Sequence, residues 1–190
     1  MLNKVTYKQD THVFTKGMCV SFRDITLLVG DQGAGKSSLL KDIKSDAGGG
    51  NTLDVTYDGE LEGMLHFDTE KDSLRTRGPD PFEQREYAQA IVEKFVSHGE
   101  ALLPYMRDLK QFKNSLILLD QPETALSIRS CLEVCSIIRH MLGTGNQFII
   151  ATHSPVIMQE FDASILDMEQ NKYVSYEAFL KRQHKPKRIK

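Results

Sequence analysis

Residues suited to phosphate and magnesium chemistry occur at three places in the chain. Lys36 and Ser37 close the glycine-rich stretch GDQGAGKS. Asp120 ends the apolar run SLILLD, and His153 follows the apolar run QFIIAT. A lysine and a serine after glycine-rich backbone are typical of phosphate binding, and an aspartate after a buried strand is typical of a magnesium-binding carboxylate. Phosphoryl chemistry is therefore the first reaction class to consider.

The glycine-rich stretch fits the pattern G-x-x-x-x-G-K-[S/T] of a phosphate-binding loop, between a predicted strand, ITLLVG, and a predicted helix, KSSLLKDI. The backbone N–H groups of Gly33, Gly35 and Lys36 can ring a phosphate only where a Cβ would not obstruct the turn, and the helix adds its positive end. Lys36 is expected to reach the outer phosphates, and Ser37 to bind Mg²⁺. The predicted nucleotide-binding residues are Gly30, Asp31, Gln32, Gly33, Ala34, Gly35, Lys36, Ser37 and Ser38.

The elements around this loop predict a layered α/β fold. The runs ITLLVG, SLILLD and QFIIAT are apolar throughout, which is typical of strands buried on both faces in a parallel sheet. The stretch TLDVTYDGELEGMLHF alternates around a DG turn and predicts either a hairpin or two strands. The stretch TALSIRSCLEVCSIIRHML predicts an amphipathic helix, and SILDM a further strand. Strands that alternate with helices favour a largely parallel sheet.

Length and composition narrow the class of protein. The 190 residues are typical of one domain, and a net charge of −2 argues against nucleic acid binding over the whole surface. The basic stretch at 181–190, KRQHKPKRIK, is either a solvated terminus or a contact to phosphates or an acidic partner. Three cysteines make no disulfide framework. Cys131 and Cys135, four residues apart, are expected to lie on the same side of a helix and to pack in the protein core. We expect a soluble, cytoplasmic protein without a membrane segment.

Three further stretches carry a resemblance to the ATP-binding-cassette (ABC) ATPases. SHGE (97–100) resembles the signature motif, LILLDQPETALS the Walker B motif and D-loop, and IIATHSP the H-loop. The chain is similar in particular to soluble cassettes related to chromosome-maintenance and recombination ATPases, and to small predicted ATPases of bacteria and phages. The resemblance covers about residues 14–167. It implies a P-loop NTPase fold with a mostly parallel sheet, an antiparallel β portion and a helical insertion, about 72–112, within one domain (1–180).

The resemblance also implies roles for single residues. Asp120 would join Ser37 in the Mg²⁺ shell, and His153 would touch the γ-phosphate and the attacking water. ATP and Mg²⁺ would be bound between two chains, as a homodimer. The signature residues that would reach the partner's γ-phosphate are Ser97, His98, Gly99 and Glu100. The D-loop would be residues 124–127, where Ser127 replaces the frequent aspartate.

Two contacts of the family have no certain counterpart in the sequence. The stretch HFDTE (66–70) is the best candidate for the glutamine loop, and either Tyr7 or Phe14 is expected to stack on adenine. Only about 60 residues separate Lys36 from Ser97, which excludes a long coiled coil and is short for a transporter's helical subdomain.

The position after Asp120, where cassettes keep their catalytic glutamate, holds Gln121. An amide cannot accept a proton near neutral pH, but it can orient a water, so slow hydrolysis with intact dimerisation is expected. Glu123 is either an alternative base or a first-turn carboxylate of the next helix. A glutamine here is also a common engineered trap, and the sequence is compatible with a natural or an introduced residue.

These features predict an ATP-gated clamp or switch with weakened hydrolysis. The resemblance and the basic stretch suggest a role in DNA repair, recombination or phage–host conflict, with DNA as a partner. The alternative is a non-catalytic, ATP-gated scaffold that recruits a separately encoded effector protein.

Overall fold

A computed structural model describes residues 1–68, 102–124 and 126–184, which form nine strands and five α-helices. The strands are β1 (Leu2–Tyr7), β2 (Cys19–Ser21), β3 (Ile25–Val29), β4 (Leu53–Tyr57), β5 (Gly63–Asp68), β6 (Ser115–Asp120), β7 (Gln147–Ala151), β8 (Ile165–Asp167) and β9 (Lys172–Val174). The helices are α1 (Lys36–Ala47), α2 (Leu102–Asp108), α3 (Ile128–Leu142), α4 (Pro155–Glu160) and α5 (Tyr176–Gln183), with short 3₁₀ turns at Leu109–Gln111 and Asp162–Ser164.

The central sheet has six strands in the order β5-β6-β7-β3-β8-β9. All neighbours are parallel except β8 and β9, which pair antiparallel. Every residue of β6 and β7 is buried. Alternate residues of a strand face opposite sides of the sheet, so both sides need apolar side chains when both are covered. This explains why these strands are apolar runs in the sequence.

Two core clusters lie on the two faces of this sheet. On one face the helices that follow β5 pack against alternate strand residues, with Met106, Val134, Ile138, Ile157 and Phe179 in the cluster. On the other face α1 and a second sheet form the cluster, with Leu39, Leu40, Ile43, Val5 and Leu53. The second sheet is antiparallel, in the order β2-β1-β4. The predicted layered α/β fold with a mostly parallel sheet and an antiparallel portion is confirmed.

Three local predictions need correction or extension. Of the two alternatives for residues 52–67, the two separate strands are confirmed and the hairpin is wrong, because β4 joins the small sheet and β5 lies at one end of the central sheet. Helix α3 begins at Ile128 and not at Thr124, since the hydroxyl of Ser127 accepts a hydrogen bond from the Ser130 N–H (3.1 Å) and caps the helix there. Strands β1, β2 and β9 and helices α4 and α5 have no counterpart among the predicted elements.

Other predictions concern the cysteines, the insertion and the termini. Cys131 and Cys135 are buried as predicted, and burial raises the pKa of the Cys135 thiol to about 12. Most of the predicted helical insertion, including residues 97–100, lies outside the described residues, as do residues 185–190 of the basic stretch. Helix α5 extends to Gln183, so that stretch begins inside a helix. In the described part of the chain, no helix has the length and apolar character needed to cross a membrane.

Candidate nucleotide-binding site

The predicted site residues meet at the carboxyl edge of the central sheet. The register pairs Leu28 of β3 with Ala151 of β7, and Ala151 with Asp120 of β6, so these strands end level with one another. The glycine-rich loop follows β3, and His153 lies two residues beyond β7. Ligand sites of open α/β sheets lie at this edge, and the topology therefore brings together residues that are more than 100 positions apart in sequence.

The glycine-rich loop has the backbone that a phosphate cradle requires. Gly33 and Gly35 have φ angles of +86° and +88°, in the left-handed region that favours glycine. A Cβ on Gly35 would lie 2.5 Å from Phe14 Cζ and 2.6 Å from Val13 Cγ1. Any side chain at residue 35 would therefore collide with the segment between β1 and β2. A Cβ on Gly33 would meet no atom within 4 Å. The loop is thus tightly supported at Gly35 and open at Gly33.

Lys36, the first residue of α1, is 6% exposed and reaches back over the loop. Its ammonium donates hydrogen bonds to the carbonyl oxygens of Gly30 (2.9 Å) and Asp31 (3.0 Å). Desolvation lowers the pKa of Lys36, and the negative charges of Asp120, Glu169 and Glu123 oppose that shift. These carboxylates favour the charged form of the lysine and so offset part of the effect of burial.

Ser37 and Asp120 form the link between α1 and β6. The Ser37 hydroxyl donates to Asp120 Oδ1 at 3.1 Å, and Asp120 is 5% exposed at the end of its strand. A hydroxyl and a carboxylate are oxygen ligands of the kind that Mg²⁺ prefers, and Mg²⁺ commonly takes one or two protein ligands with phosphate and water completing the shell. In residues 1–68, 102–124 and 126–184 no group of three or more His, Cys, Asp or Glu side chains could hold a metal by itself. The pair therefore fits a magnesium ion that is bound together with phosphates.

The turn after β6 contains the two residues at issue for catalysis. Gln121 has a φ of +51° and donates its N–H to the carbonyl of Ala151 (2.8 Å), which ties the turn to β7. Glu123 does not begin a helix: its Oε1 accepts a hydrogen bond from the His153 N–H at 2.7 Å, and α3 starts five residues later. The prediction that Glu123 is a first-turn carboxylate is wrong, because Ser127 caps the helix further on.

His153 projects from the segment between β7 and α4. The segment is held by Ser154, whose hydroxyl accepts from the Ile157 N–H (3.4 Å), and Pro155 begins the helix. His153 is exposed as a residue, yet partial desolvation of its imidazole and then the charge of Lys36 lower its pKa, against the opposing effects of Glu123 and Asp120. The ring therefore faces the same electrostatic environment as the lysine.

Comparisons with known proteins agree with this geometry. The structure superposes on a nucleotide-free ATP-binding cassette of an ABC transporter with a TM-score of 0.61, at 16% identity, over 98% of this chain and 97% of that chain. It also superposes on UvrA2 from Deinococcus radiodurans, with a TM-score of 0.59 at 11% identity, over 86% of this chain and 35% of that chain. The fold is that of an ATP-binding cassette.

Two more comparisons concern assembly and sequence. A cassette solved as a dimer in a post-hydrolysis state, with ADP and phosphate bound, matches with a TM-score of 0.51 at 15% identity, over 87% of this chain and 92% of that chain. The opaque-specific ABC transporter CDR3 of Candida albicans is 25% identical over 186 aligned residues, which cover 75% of this chain and 12% of that protein. This chain thus spans about an eighth of the length of that curated relative. No protein-family model matches the chain.

Tyr7 and Phe14, of which one was expected from the sequence to stack on adenine, are both buried in the structure. Tyr7 and Phe14 stack on each other with ring centroids 4.6 Å apart, and both are buried below the phosphate loop. The Tyr7 hydroxyl donates to Asp42 of α1 (2.9 Å). Both rings therefore support α1 and Gly35. In the same segment between β1 and β2, the side chain of Val13 lies beside Gly35 and is 41% exposed.

Two acidic residues near the loop were missed or left open by sequence reasoning. Asp68 ends β5 directly opposite Asp120 in the register and is 4% exposed, within the stretch 66–70 that was the glutamine-loop candidate. Glu169, beyond β8, accepts a hydrogen bond from the Asp31 N–H (3.3 Å). The end of an apolar strand was a usable signal for Asp68. No such signal marked Glu169, because β8 has only three residues and the contact between Glu169 and Asp31 spans 138 positions.

Proposed function

We propose that this chain binds MgATP at the phosphate loop and forms a homodimer in the ATP-bound state. The observation that carries the proposal is the joint arrangement of Lys36, Ser37 and Asp120 around a loop with left-handed glycines at 33 and 35. Two segments that are far apart in sequence, the loop with the start of α1 and the end of β6, supply these groups, so a chance glycine-rich turn does not account for the arrangement. The similarity to cassettes, one of them dimeric with ADP and phosphate, supports the proposal.

Each group has a physical task in this proposal. Backbone N–H groups of Gly33, Gly35 and Lys36 and the start of α1 offer donors and positive potential to the phosphates. Lys36 exchanges its two carbonyl partners for phosphate oxygens. Ser37 and Asp120 hold Mg²⁺, which neutralises charge on the triphosphate when it is bound. Val13 is next to Gly35 and is the side chain we expect against the base.

Hydrolysis at this site would be slow because Gln121 has no proton-accepting group. The amide can orient a water, as positioning and electrostatics dominate phosphoryl transfer. Glu123 acts on the backbone: its carboxylate holds the His153 N–H at 2.7 Å and so sets where the histidine ring lies. Its other oxygen, Oε2, is buried and makes no hydrogen bond to the described residues. The base and the positioning roles of Glu123 therefore make different predictions, which are tested below.

The dimer contacts remain predictions from sequence. Ser97, His98, Gly99 and Glu100 would complete the site of the partner chain, and Thr124 would lie in the D-loop. Ser127 is engaged as the cap of α3, which leaves it a local role in this chain. DNA binding through the basic stretch likewise remains a prediction.

The second candidate function is an ATP-gated scaffold that recruits a separate effector protein. One specific observation favours it: a glutamine occupies the position of the base, and Glu123, the other carboxylate of this turn besides Asp120, accepts a backbone N–H with Oε1. Binding and dimerisation would be as in the first proposal, but turnover would be absent.

The test measures binding and mass together. Isothermal titration with MgATP and light scattering are performed on the wild-type chain and on Lys36→Ala. We expect MgATP binding and a doubling of mass with ATP in the wild type, and neither in the variant. A wild-type chain that stays monomeric with MgATP bound contradicts the dimer, and one that does not bind MgATP contradicts the whole proposal. Phosphate release by the dimer separates the ATPase from the scaffold.

A further inference from the structure

The side of the phosphate loop away from β6 and β7 is bordered by the segment after β8. The register pairs Val29 with Asp167, and the Met168 N–H donates to the carbonyl of Val29 at 2.9 Å. This brings Glu169 beside the first residues of the loop, where its Oε1 accepts from the Asp31 N–H at 3.3 Å. A carboxylate thus lies against a loop that is built to take polyanionic phosphates.

The C-terminal helix supplies the counter-charge for this carboxylate. Arg182 of α5 forms ion pairs with Glu169 Oε2 and with Asp167, whose Oδ2 lies 2.8 Å from Arg182 Nε. The contact to Asp167 is an ion pair and not an aligned hydrogen bond. Asp167 is 1% exposed and its Oδ1 accepts from the Glu169 N–H (3.0 Å). One guanidinium therefore serves two carboxylates, and one of them, Glu169, contacts the loop.

Gln183 continues the same chain of contacts. With its amide placed so that both neighbours are satisfied, its nitrogen donates to Asp31 Oδ1 and its oxygen accepts from an Arg182 nitrogen, each at 3.3 Å. The last turn of α5 thus reaches Asp31 in two ways, directly through Gln183 and through Arg182 and Glu169. The helix itself is anchored by Phe179 in the core.

We propose that Arg182 is a positioning residue for nucleotide binding: it neutralises Glu169 beside the phosphate loop, holds that carboxylate on the Asp31 N–H, and thereby sets the affinity for nucleotide phosphates. The inference rests on the proposed MgATP binding. Removing the guanidinium leaves the charges of Glu169 and Asp167 without this partner near the triphosphate, and the repulsion grows with the number of phosphates. A guanidinium that only anchored α5 would have no such dependence on ligand charge.

The experiment uses the full chain and compares MgATP and MgADP by titration calorimetry. Arg182→Gln removes the positive charge, Arg182→Lys keeps it, and Glu169→Gln removes the negative charge while keeping an oxygen for the Asp31 N–H. Arg139→Gln is the matched control, because Arg139 also pairs with a carboxylate, Glu160, and lies over a phenylalanine ring. Melting temperatures are measured for every variant.

We expect Arg182→Gln to raise the Kd for MgATP by about tenfold, because uncompensated negative charge beside the loop should weaken phosphate binding by about this factor. The Kd for MgADP should rise by less, because ADP carries less negative charge. The double variant Glu169→Gln with Arg182→Gln should return to within about threefold of the wild type, because the charge of Glu169, which contacts the loop, is gone and only that of Asp167 is left without its guanidinium. Arg182→Lys should stay near the wild type, and Arg139→Gln should not change either Kd.

The outcomes separate this inference from the proposed function. Failure of the wild type to bind MgATP contradicts the proposed function and the inference with it. A wild type that binds while Arg182→Gln binds equally well overturns the inference alone. Equal losses for MgATP and MgADP, or a double variant that is not rescued, assign Arg182 to the anchoring of α5 and also overturn it. Should Arg182→Gln fail to fold, Glu169→Gln and Arg182→Lys decide: tighter MgATP binding in Glu169→Gln with unchanged binding in Arg182→Lys supports the inference, and unchanged or weaker binding in Glu169→Gln overturns it.

Discussion

The phosphate loop has two unlike sides. On the β6–β7 side, Asp120 contacts Ser37, and Glu123 contacts the backbone of His153. On the β8 side, Glu169 and Asp167 are paired with the guanidinium of α5. Under the proposed function, the first side would present oxygen atoms and a ring to a metal ion and a water. The second side would cancel negative charge beside a bound triphosphate. Acidic residues would thus serve chemistry on one side and charge balance on the other.

Lys36 is the residue that both sides share, and its removal should have the largest effect. In Lys36→Ala the ammonium group is gone, and the carboxylates of Asp120, Glu123 and Glu169 lose the positive charge that they interact with. We expect MgATP affinity to fall by about 100-fold or more, since charge-assisted hydrogen bonds to phosphate contribute about 1.5–3 kcal/mol each. Titration calorimetry measures it, with Lys41→Ala, on the exposed side of the same helix, as the control. Affinity within threefold of the wild type would contradict the site.

Gln121→Glu should give the next largest effect, and it should be confined to the β6–β7 side. The two side chains have the same shape, so the left-handed backbone at this residue (φ +51°) bears the change equally well. We expect ATP turnover to rise by about 100-fold, a plausible size for a positioned base, with little change in nucleotide affinity. Phosphate release is measured at a protein concentration where dimers form.

Equal turnover in the two forms would refute the assignment of the base position to residue 121. Shared high turnover would move the base to Glu123, and shared negligible turnover would favour the scaffold. Gln121→Ala is the control, because it removes the amide without adding a carboxylate.

The central sheet was predictable because burial on both faces leaves a plain signal. Ile117 and Leu119 belong to one core cluster and Leu116 and Leu118 to the other, so the strand reads as one apolar run. The loop after β3 was predictable because lysine, serine and glycines stand at fixed spacing. The first signal placed Asp120 at the end of its strand and His153 two residues beyond β7, and the second placed Lys36 and Ser37 at the start of α1.

The remaining parts of the site depend on contacts that have no local pattern. Glu123 binds a backbone N–H 30 positions away, and the contact of Glu169 to Asp31 spans 138. Either Tyr7 or Phe14 was expected to stack on adenine, because both are aromatic. Their burial under Gly35 depends on how the small antiparallel sheet packs on α1. Sequence patterns report which face of an element is apolar, and they do not report which partner covers it.

Glu123 offers a sharper test of the β6–β7 side, with a smaller expected effect. In Glu123→Gln the amide oxygen still accepts from the His153 N–H, whereas Glu123→Ala leaves that N–H without its partner. In the Gln121→Glu background we expect Glu123→Ala to lose about tenfold in turnover, in line with the loss of one hydrogen bond to a charged group, and Glu123→Gln to lose less than threefold. An equal and large loss in both variants would show that the carboxylate itself accepts a proton.

The smallest expected effect is a shift in the titration of His153. Partial desolvation and Lys36 lower its pKa below the ordinary value of about 6.5, so the ring is neutral at pH 7 and can accept a hydrogen bond. An NMR titration should give a pKa for His153 below the ordinary value. The variant His153→Ala assigns its resonance among the six histidines. A bound, non-hydrolysed ATP analogue should raise the pKa, because phosphate charge favours the imidazolium. Arg182→Gln should leave the pKa of the nucleotide-free protein unchanged. A pKa at or above the ordinary value would place Lys36 away from the ring, and a change with Arg182→Gln would show that the two sides of the loop are electrostatically coupled.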